Sequence, residues 1–451
     1  MRTSDRGFPR ALGVWIAVVF AVMTAGAIAR MSLWTYGADT GTFVQLILDT
    51  FGGMRDGIEH GTHFRYHWSP TLALLWPLLA ATHAALALQI VQIAATLAVA
   101  PLLYALVEPR AGTELAQRVA ILALLYPPLL SMAWVEFHEL GLFAPLAIGA
   151  IVAADRRAWM WFAICIGLAI GLREDICIEI VIVAAVLAIA GWRSRLAWAL
   201  AALAALVSVC AYYLLVVPRV GGWDPAHFYV YPFAAGPLAL VLSPLLHARD
   251  FITTFFTFGR LTYLLEAFVP LALLPLRSRW SLFALPGFAI VLLANDQLVY
   301  HMGNHYAALW SPWLLAGMAF AAARLDARRW VEIAIGISAL VLVAFNPMHP
   351  AHFLAPNYHD LASARAALAC VPQDAGVSTH DEWFTQIAAH DPNATLGTLT
   401  GVDYLVFAAD YPNAEFQRSW MPRLRADVAR GEYVAICRFG AVTTYRRVRH
   451  G

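Results

Sequence analysis

The sequence predicts an all-α polytopic membrane bundle of about eleven spans with a small exported α/β domain at its C-terminal end. Three observations predict it. The 451 residues are 61% hydrophobic and only 13% charged, against roughly a quarter charged in soluble domains. Many apolar runs approach the length of about 20 residues that a helix needs to cross a bilayer. From about residue 350 the pattern changes to short alternating strands and helices, separated by turn signals such as DPNA and YPNA.

The elements follow in order. MRTSDRGFPR places three arginines before an apolar run at 11–29. A secretory signal cleaved near AGAIAR is the rival reading, but the run exceeds the usual apolar core of about 7–15 residues. It is read as an uncleaved first span. The candidate spans are 11–30, 86–107, 116–132, 139–154, 158–172, 176–192, 196–217, 258–276, 281–294, 305–323 and 331–346. Several are short, which suits broken or tilted helices around a cavity. SPTLALLWPLL at 69–79 is too short to cross and reads as re-entrant or interfacial. The tail reads as helix (LASARAALA), strand (AGVSTH), helix, strand (DYLVFAAD), helix and a final strand pair (EYVAICRFG, AVTTYRRV). The expected division is 1–349 for the membrane domain and 350–451 for the exported domain.

Net charge is +1, so no global field points to nucleic acid. The basic residues are all arginine, and they set the orientation. EPR at 108–110, Arg118, DRR at 155–157, WRSR at 192–195, RSR at 277–279 and RLDARR at 324–329 fall on one side if the N-terminus is cytoplasmic. Arg173, Arg219, Arg249 and Arg260 are the exceptions. The expected location is therefore the inner (cytoplasmic) membrane, multi-pass, with the C-terminal domain exported. Cys165, Cys177 and Cys210 read as small apolar residues. Cys370 and Cys437 would pair only if the tail faces an oxidising compartment.

The opposite connections hold the unusual ionisable residues. These are Asp39, His63, His67, Glu136, His138, Glu139, Arg173, Glu174, Asp175, Asp224, Asp296, His301 and His305. Acid, base and aromatic side chains from separate loops thus gather at one membrane face, which points to a site at the outer surface. Each group also has a plainer reading. EFHE (136–139) could cap a helix, and RED (173–175) could pair two short helices, since charge there is costly unless partnered. Asp39 in DTGTF could be a helix N-cap. The histidines read as hydrogen-bonding groups, because none pairs at i, i+4 with another on a regular helix. Ser69 lacks the GxSxG setting of a serine nucleophile. In the tail, VSTHDEW is read as presenting His380, Asp381 and Glu382 on its surface, without catalysis.

The order Asp39-x-Gly41-x-Phe43-x-Gln45, HWSP (67–70), YPP (126–128), EFHE, RED and NHY (304–306) resembles a prokaryotic family of multispan membrane proteins, domain of unknown function 2079. That family often has a tyrosine directly before the first Asp; here Tyr36 stands three residues ahead. It is similar in turn to the GT-C class of membrane glycosyltransferases. The resemblance implies a sugar moved from a polyprenyl-phosphate donor to an envelope glycan, lipid or protein acceptor on the non-cytoplasmic face, with inversion. Asp39 would be the catalytic base. Arg173, then Arg65, His67 and His305, would take the donor phosphate. Glu136, His138, Glu139, Glu174, Asp175, Gln45 and Tyr306 would bind substrate. No cofactor is certain in this reading, and a divalent metal is possible. The competing readings are a transporter or lipid flippase and a non-catalytic envelope assembly protein.

Overall fold

The computed structural model describes residues 9–59, 61–223, 231, 233–234, 237–344, 354–373, 375–399 and 401–448. It divides into two compact units. One comprises Met1–Thr24, Phe64–Leu72 and Val91–Met348; the other comprises Ala25–His63, Ala73–Ile90 and His349–Gly451. The boundary expected at 349/350 lies outside the described residues.

Among the described residues, three helices are long and apolar enough to cross a membrane: Arg10–Ser32, Ala85–Leu125 and Arg195–Arg219. Pro70–Thr82, Trp159–Ile170 and Arg279–Leu293 are shorter apolar helices. Among the described residues the expected eleven spans are therefore not confirmed. The reason is local. The expected span 258–276 is helical over Phe258–Phe268, passes into a 3-10 turn at Val269–Leu271 and then reverses through Ala272 and Leu273. Those two residues are left-handed (φ 48° and 57°), and Pro270 and Pro275 flank them. Apolarity continues where the helix does not.

Within the first unit, Arg195–Ala211 shows how the sequence sorts its faces. Ser194 caps it, its hydroxyl accepting from the Ala197 amide at 3.2 Å. Trp198, Ala201, Ala205 and Val209 recur at helical spacing and are buried. Leu196, Leu200, Leu203 and Val207 on the other face are 54–69% exposed. Such a face is costly in water and natural against lipid. The core of this unit runs along Ser311–Leu325, where Trp313 meets Phe143 edge-on at 6.3 Å and Phe320 stacks on Trp280 at 4.6 Å.

Two helices of this unit have chemically opposite ends. Phe143–Asp155 begins beside Glu139 and ends at Asp155, which accepts from Arg110 at 2.6 Å and also pairs with Arg193. Glu174–Ile189 begins at Arg173 and runs toward Trp192 and Arg193. A helix of 13 residues is about 20 Å long. Acids and histidines thus gather at one end and arginines at the other.

The second unit contains a short hairpin, β1 (Arg55–Asp56) against β2 (Gly61–Thr62), and a five-stranded sheet. The sheet strands are β3 (Val377–Thr379), β4 (Thr395–Leu396), β5 (Tyr404–Ala408), β6 (Tyr433–Phe439) and β7 (Val442–Arg447), in the order β4-β3-β5-β7-β6. β3 pairs in parallel with β4 and β5, and β7 lies antiparallel between β5 and β6. Cys370 and Cys437 form a disulfide that ties the region after Leu361–Leu368 to β6.

The helix Ala38–Leu48 docks on the tail helix Asp381–Ile387. Asp381 Oδ1 accepts from the Ala38 amide at 2.6 Å. The Thr385 hydroxyl accepts from the Gly41 amide at 3.0 Å and donates to the Gly37 carbonyl. A Cβ on Gly41 would lie 2.7 Å from the Phe384 ring and 3.0 Å from the Thr385 backbone. Gly41→Ala is therefore expected to destabilise this unit by about 1–3 kcal/mol, read as a lower thermal midpoint in detergent with the disulfide intact.

His380 and Glu382 were expected on the surface. Both are buried, at 4% and 6% exposure, whereas Asp381 is exposed. His380 stacks on Tyr411 at 3.6 Å and its Nε2 accepts from the Ala408 amide. Burial pushes its pKa down from 6.5 to about 3. A histidine with a depressed folded pKa gives stability that is complete above the unfolded value and lost as pH falls toward the folded one. Through this group alone, acidification from neutrality to about pH 5 should cost about 2 kcal/mol, read as the difference between wild type and His380→Gln in melting midpoints against pH. The variant should lack that contribution, while the raised carboxyl of Asp56 acts in the opposite direction in both proteins.

Candidate functional site

In the first unit, four separate stretches converge on Arg173. The residue is extended (φ −165°) and starts the helix Glu174–Ile189, so Glu174 and Asp175 occupy a first turn whose dipole favours negative charge. Arg173 Nε donates to Asp175 Oδ2 at 3.0 Å, and its Nη2 lies 2.8 Å from the same oxygen. Its Nη1 is 3.5 Å from Glu139 Oε1, and its guanidinium faces the Tyr306 ring at 5.7 Å. Glu139 is fully buried, and His138 Nδ1 lies 2.8 Å from its other oxygen. The His138 ring stacks on His305 at 3.5 Å, 15° from parallel. His305 Nε2 is buried and meets no partner among the described residues. Glu174 holds His67 Nδ1 at 2.9 Å with one oxygen and the Trp68 amide at 2.9 Å with the other.

His67, His138, Glu139, Arg173, Glu174, Asp175, His305 and Tyr306 thus come together as one cluster. Glu136 is half-buried beside it and offers its backbone carbonyl to Gln92. Arg65 is half-buried in the short turn His63–Arg65. Arg173, the first candidate for the donor phosphate, has its guanidinium fork turned to Asp175 and Glu139.

Sequence reasoning missed three supports. Gln92 Nε2 donates to the Met132 carbonyl at 2.7 Å and its Oε1 accepts from the His138 amide at 2.8 Å, which fixes the turn carrying His138 and Glu139. Trp68 Nε1 donates to Ser208 at 2.8 Å, anchoring the segment that bears His67. Glu179, also buried, accepts from the Trp313 indole. The available signal was an amide or carboxylate inside an apolar helical run, as in ALALQIVQIAATL.

The second unit holds Asp39, and it revises the reading of that motif. Gly37, not Asp39, occupies the N-cap position of Ala38–Leu48, and it is Asp381 that accepts from the first amide. Asp39 is the second helical residue and is exposed, while Thr40, Gly41, Phe43, Val44 and Gln45 are buried. Gln45 was expected to bind substrate. It is instead a brace: Nε2 donates to the Asp391 and Ala394 carbonyls at 3.1 and 3.0 Å, and Oε1 accepts from Gly57 at 2.8 Å. Tyr36 is fully buried under the Arg30 guanidinium at 3.9 Å. Of the Asp-x-Gly-x-Phe-x-Gln pattern, only Asp39 points outward. The same unit brings together Asp56, Glu59 and His63. Burial, with Glu59 beside it, pushes the Asp56 carboxyl up to about 7. Asp224 lies outside the described residues.

The sequence profile of a family described as "Predicted membrane protein (DUF2079)" matches residues 29–411. No curated protein matches the sequence significantly. Among solved structures, the fold is similar to ArnT from Cupriavidus metallidurans bound to undecaprenyl phosphate, with a TM-score of 0.55 and 12% identity over 96% of this chain and 98% of that one. The apo form of ArnT gives 0.54 and 13% identity over 97% and 98%. The arabinofuranosyltransferase AftD from mycobacteria gives 0.53 and 15% identity over 100% of this chain and 40% of that one. At these identities the likeness is one of fold.

Proposed function

The chain belongs to the DUF2079 family of predicted membrane proteins, and on that premise we propose that it is a membrane glycosyltransferase drawing its sugar from a polyprenyl-phosphate donor. The acceptor is an envelope glycan, lipid or protein on the non-cytoplasmic face. The observation that supports this most is the fold shared end to end with ArnT, which was solved with undecaprenyl phosphate bound. The acidic cluster around Arg173 is the second support, because buried carboxylates and imidazoles in one place suit sugar hydroxyls. The Cys370–Cys437 disulfide favours an exported tail.

In this proposal the acceptor hydroxyl attacks the anomeric carbon as a carboxylate takes its proton. The bond from that carbon to the phosphate oxygen breaks, polyprenyl phosphate leaves, and the configuration inverts. Asp39 is assigned as the base from its place in the sequence motif and its exposure. Glu139, Glu174 and Asp175 hold sugar hydroxyls, with Arg173 positioning them. Arg65, His67 and His305 face the donor phosphate, where cationic or N–H groups stabilise the leaving charge. Native mass spectrometry of the full-length protein with undecaprenyl phosphate tests the donor side. Stoichiometric binding of the phosphate lipid, but not of the corresponding alcohol, is the expected result. Equal uptake of both would remove the case for a phosphate-bearing donor.

A further inference from the structure

We propose that the hairpin following Ala38–Leu48 is a binding site for one divalent transition-metal ion, with Asp56, Glu59 and His63 as its protein ligands. One donor atom from each residue lies within 4.8 Å of the others. A metal with bonds of about 2.0–2.2 Å holds neighbouring ligand atoms roughly 3–3.6 Å apart, so the three side chains would close in by about 1 Å on binding.

The backbone prepares this arrangement. β1 and β2 pair Asp56 with Gly61 and Arg55 with Thr62, which folds the segment back on itself. The His63 amide donates to the Met54 carbonyl at 2.9 Å, and the Thr62 hydroxyl bonds the Gly53 carbonyl at 2.6 Å. Gly57 donates to Gln45, and a Cβ there would strike the Ala394 carbonyl. The hairpin is thus wedged in place before any ion arrives.

Asp56 then presents one acceptor that no donor serves among the described residues. Asp56 Oδ1 accepts from the Ile58 and Glu59 amides, both at 2.8 Å. Its Oδ2 is buried and meets no donor among the described residues, in a residue only 7% exposed. The Glu59 side chain, 10% exposed, approaches His63 Nδ1 at 3.1 Å. An orphaned carboxylate oxygen in a buried site costs free energy unless a proton or a cation answers it. Two carboxylates and one imidazole form a donor set for manganese or zinc; magnesium and calcium prefer oxygen alone. The ligands run at i, i+3 and i+7 around a turn, so a search for paired histidines on a helix passes over them. The bound ion would pin the hairpin, with open positions left to water.

The test uses untagged, full-length protein in detergent, stripped of metal and titrated with manganese by electron paramagnetic resonance, with zinc as competitor. One manganese per chain should bind and zinc should displace it. Asp56→Asn and Glu59→Gln should each weaken binding at least tenfold, and metal should raise the melting midpoint of the wild type only. Both variants remove buried negative charge, so each is expected to fold without metal; the melting curve without metal checks this. Absence of stoichiometric manganese or zinc binding at millimolar metal would overturn the proposal. So would unchanged affinity in both folded variants.

Discussion

Asp39→Asn is expected to lower sugar transfer by about a thousandfold and to leave the amount of inserted protein unchanged. Asparagine keeps the shape of the side chain but accepts no proton at neutral pH, so the acceptor hydroxyl stays a poor nucleophile. Asp39 does not occupy the cap position of its helix, and its side chain is exposed among buried neighbours. The first amide is served by Asp381. Losing the charge from the first turn should cost the helix about 0.3–1 kcal/mol. The check is a paired measurement of the melting midpoint and of transfer in the same preparation. A large loss of transfer with a nearly unchanged midpoint fits a base. Full transfer in the variant would return Asp39 to a purely structural place.

Arg173→Ala is expected to be the most damaging single change in the first unit. It leaves Glu139, fully buried, and Asp175 without their shared cation. Breaking a buried pair by removing one partner costs about 3–5 kcal/mol, which should appear as low yield and a depressed melting midpoint. A companion variant separates folding from function. Arg173→Met with Glu139→Gln and Asp175→Asn removes the cation together with both of its carboxylates and should recover much of the lost stability. It should remain inactive, because two of the three carboxylates that hold the sugar hydroxyls are gone. Recovery of activity together with stability would make Arg173, Glu139 and Asp175 a structural group and nothing more.

These predictions rest on features that the sequence disclosed unevenly. The gathering of HWSP, EFHE, RED and NHY was legible because charge at the ends of apolar helices has to find partners. Four such stretches in one chain leave few other ways to satisfy one another. The tail was legible element by element, since its strands and helices carry their own periodicity and turn residues. Among the described tail residues, the two-residue strand Thr395–Leu396 went unseen. The docking strip Gly41-x-Phe43-x-Gln45 was not legible as such. Its tail partners lie more than 340 residues away, as with Ala38 and Asp381 at a separation of 343, and no local pattern announces a contact at that range. Gln45 therefore looked like a ligand-binding amide when it is a brace. The span count is left unconfirmed for a related reason: hydropathy reads whether a run is apolar, not whether Pro270 or a left-handed Ala272 interrupts its helix.

The most direct test of the transferase reading is a mass-spectrometric comparison of polyprenyl-linked sugars in cell envelopes from cells with the wild-type chain, cells without it, and cells carrying Asp39→Asn. The account predicts that one polyprenyl-phosphate sugar accumulates in the second and third strains, together with loss of the same envelope glycan modification. An identical lipid-linked sugar pool and glycan profile in the presence and absence of the chain would contradict it.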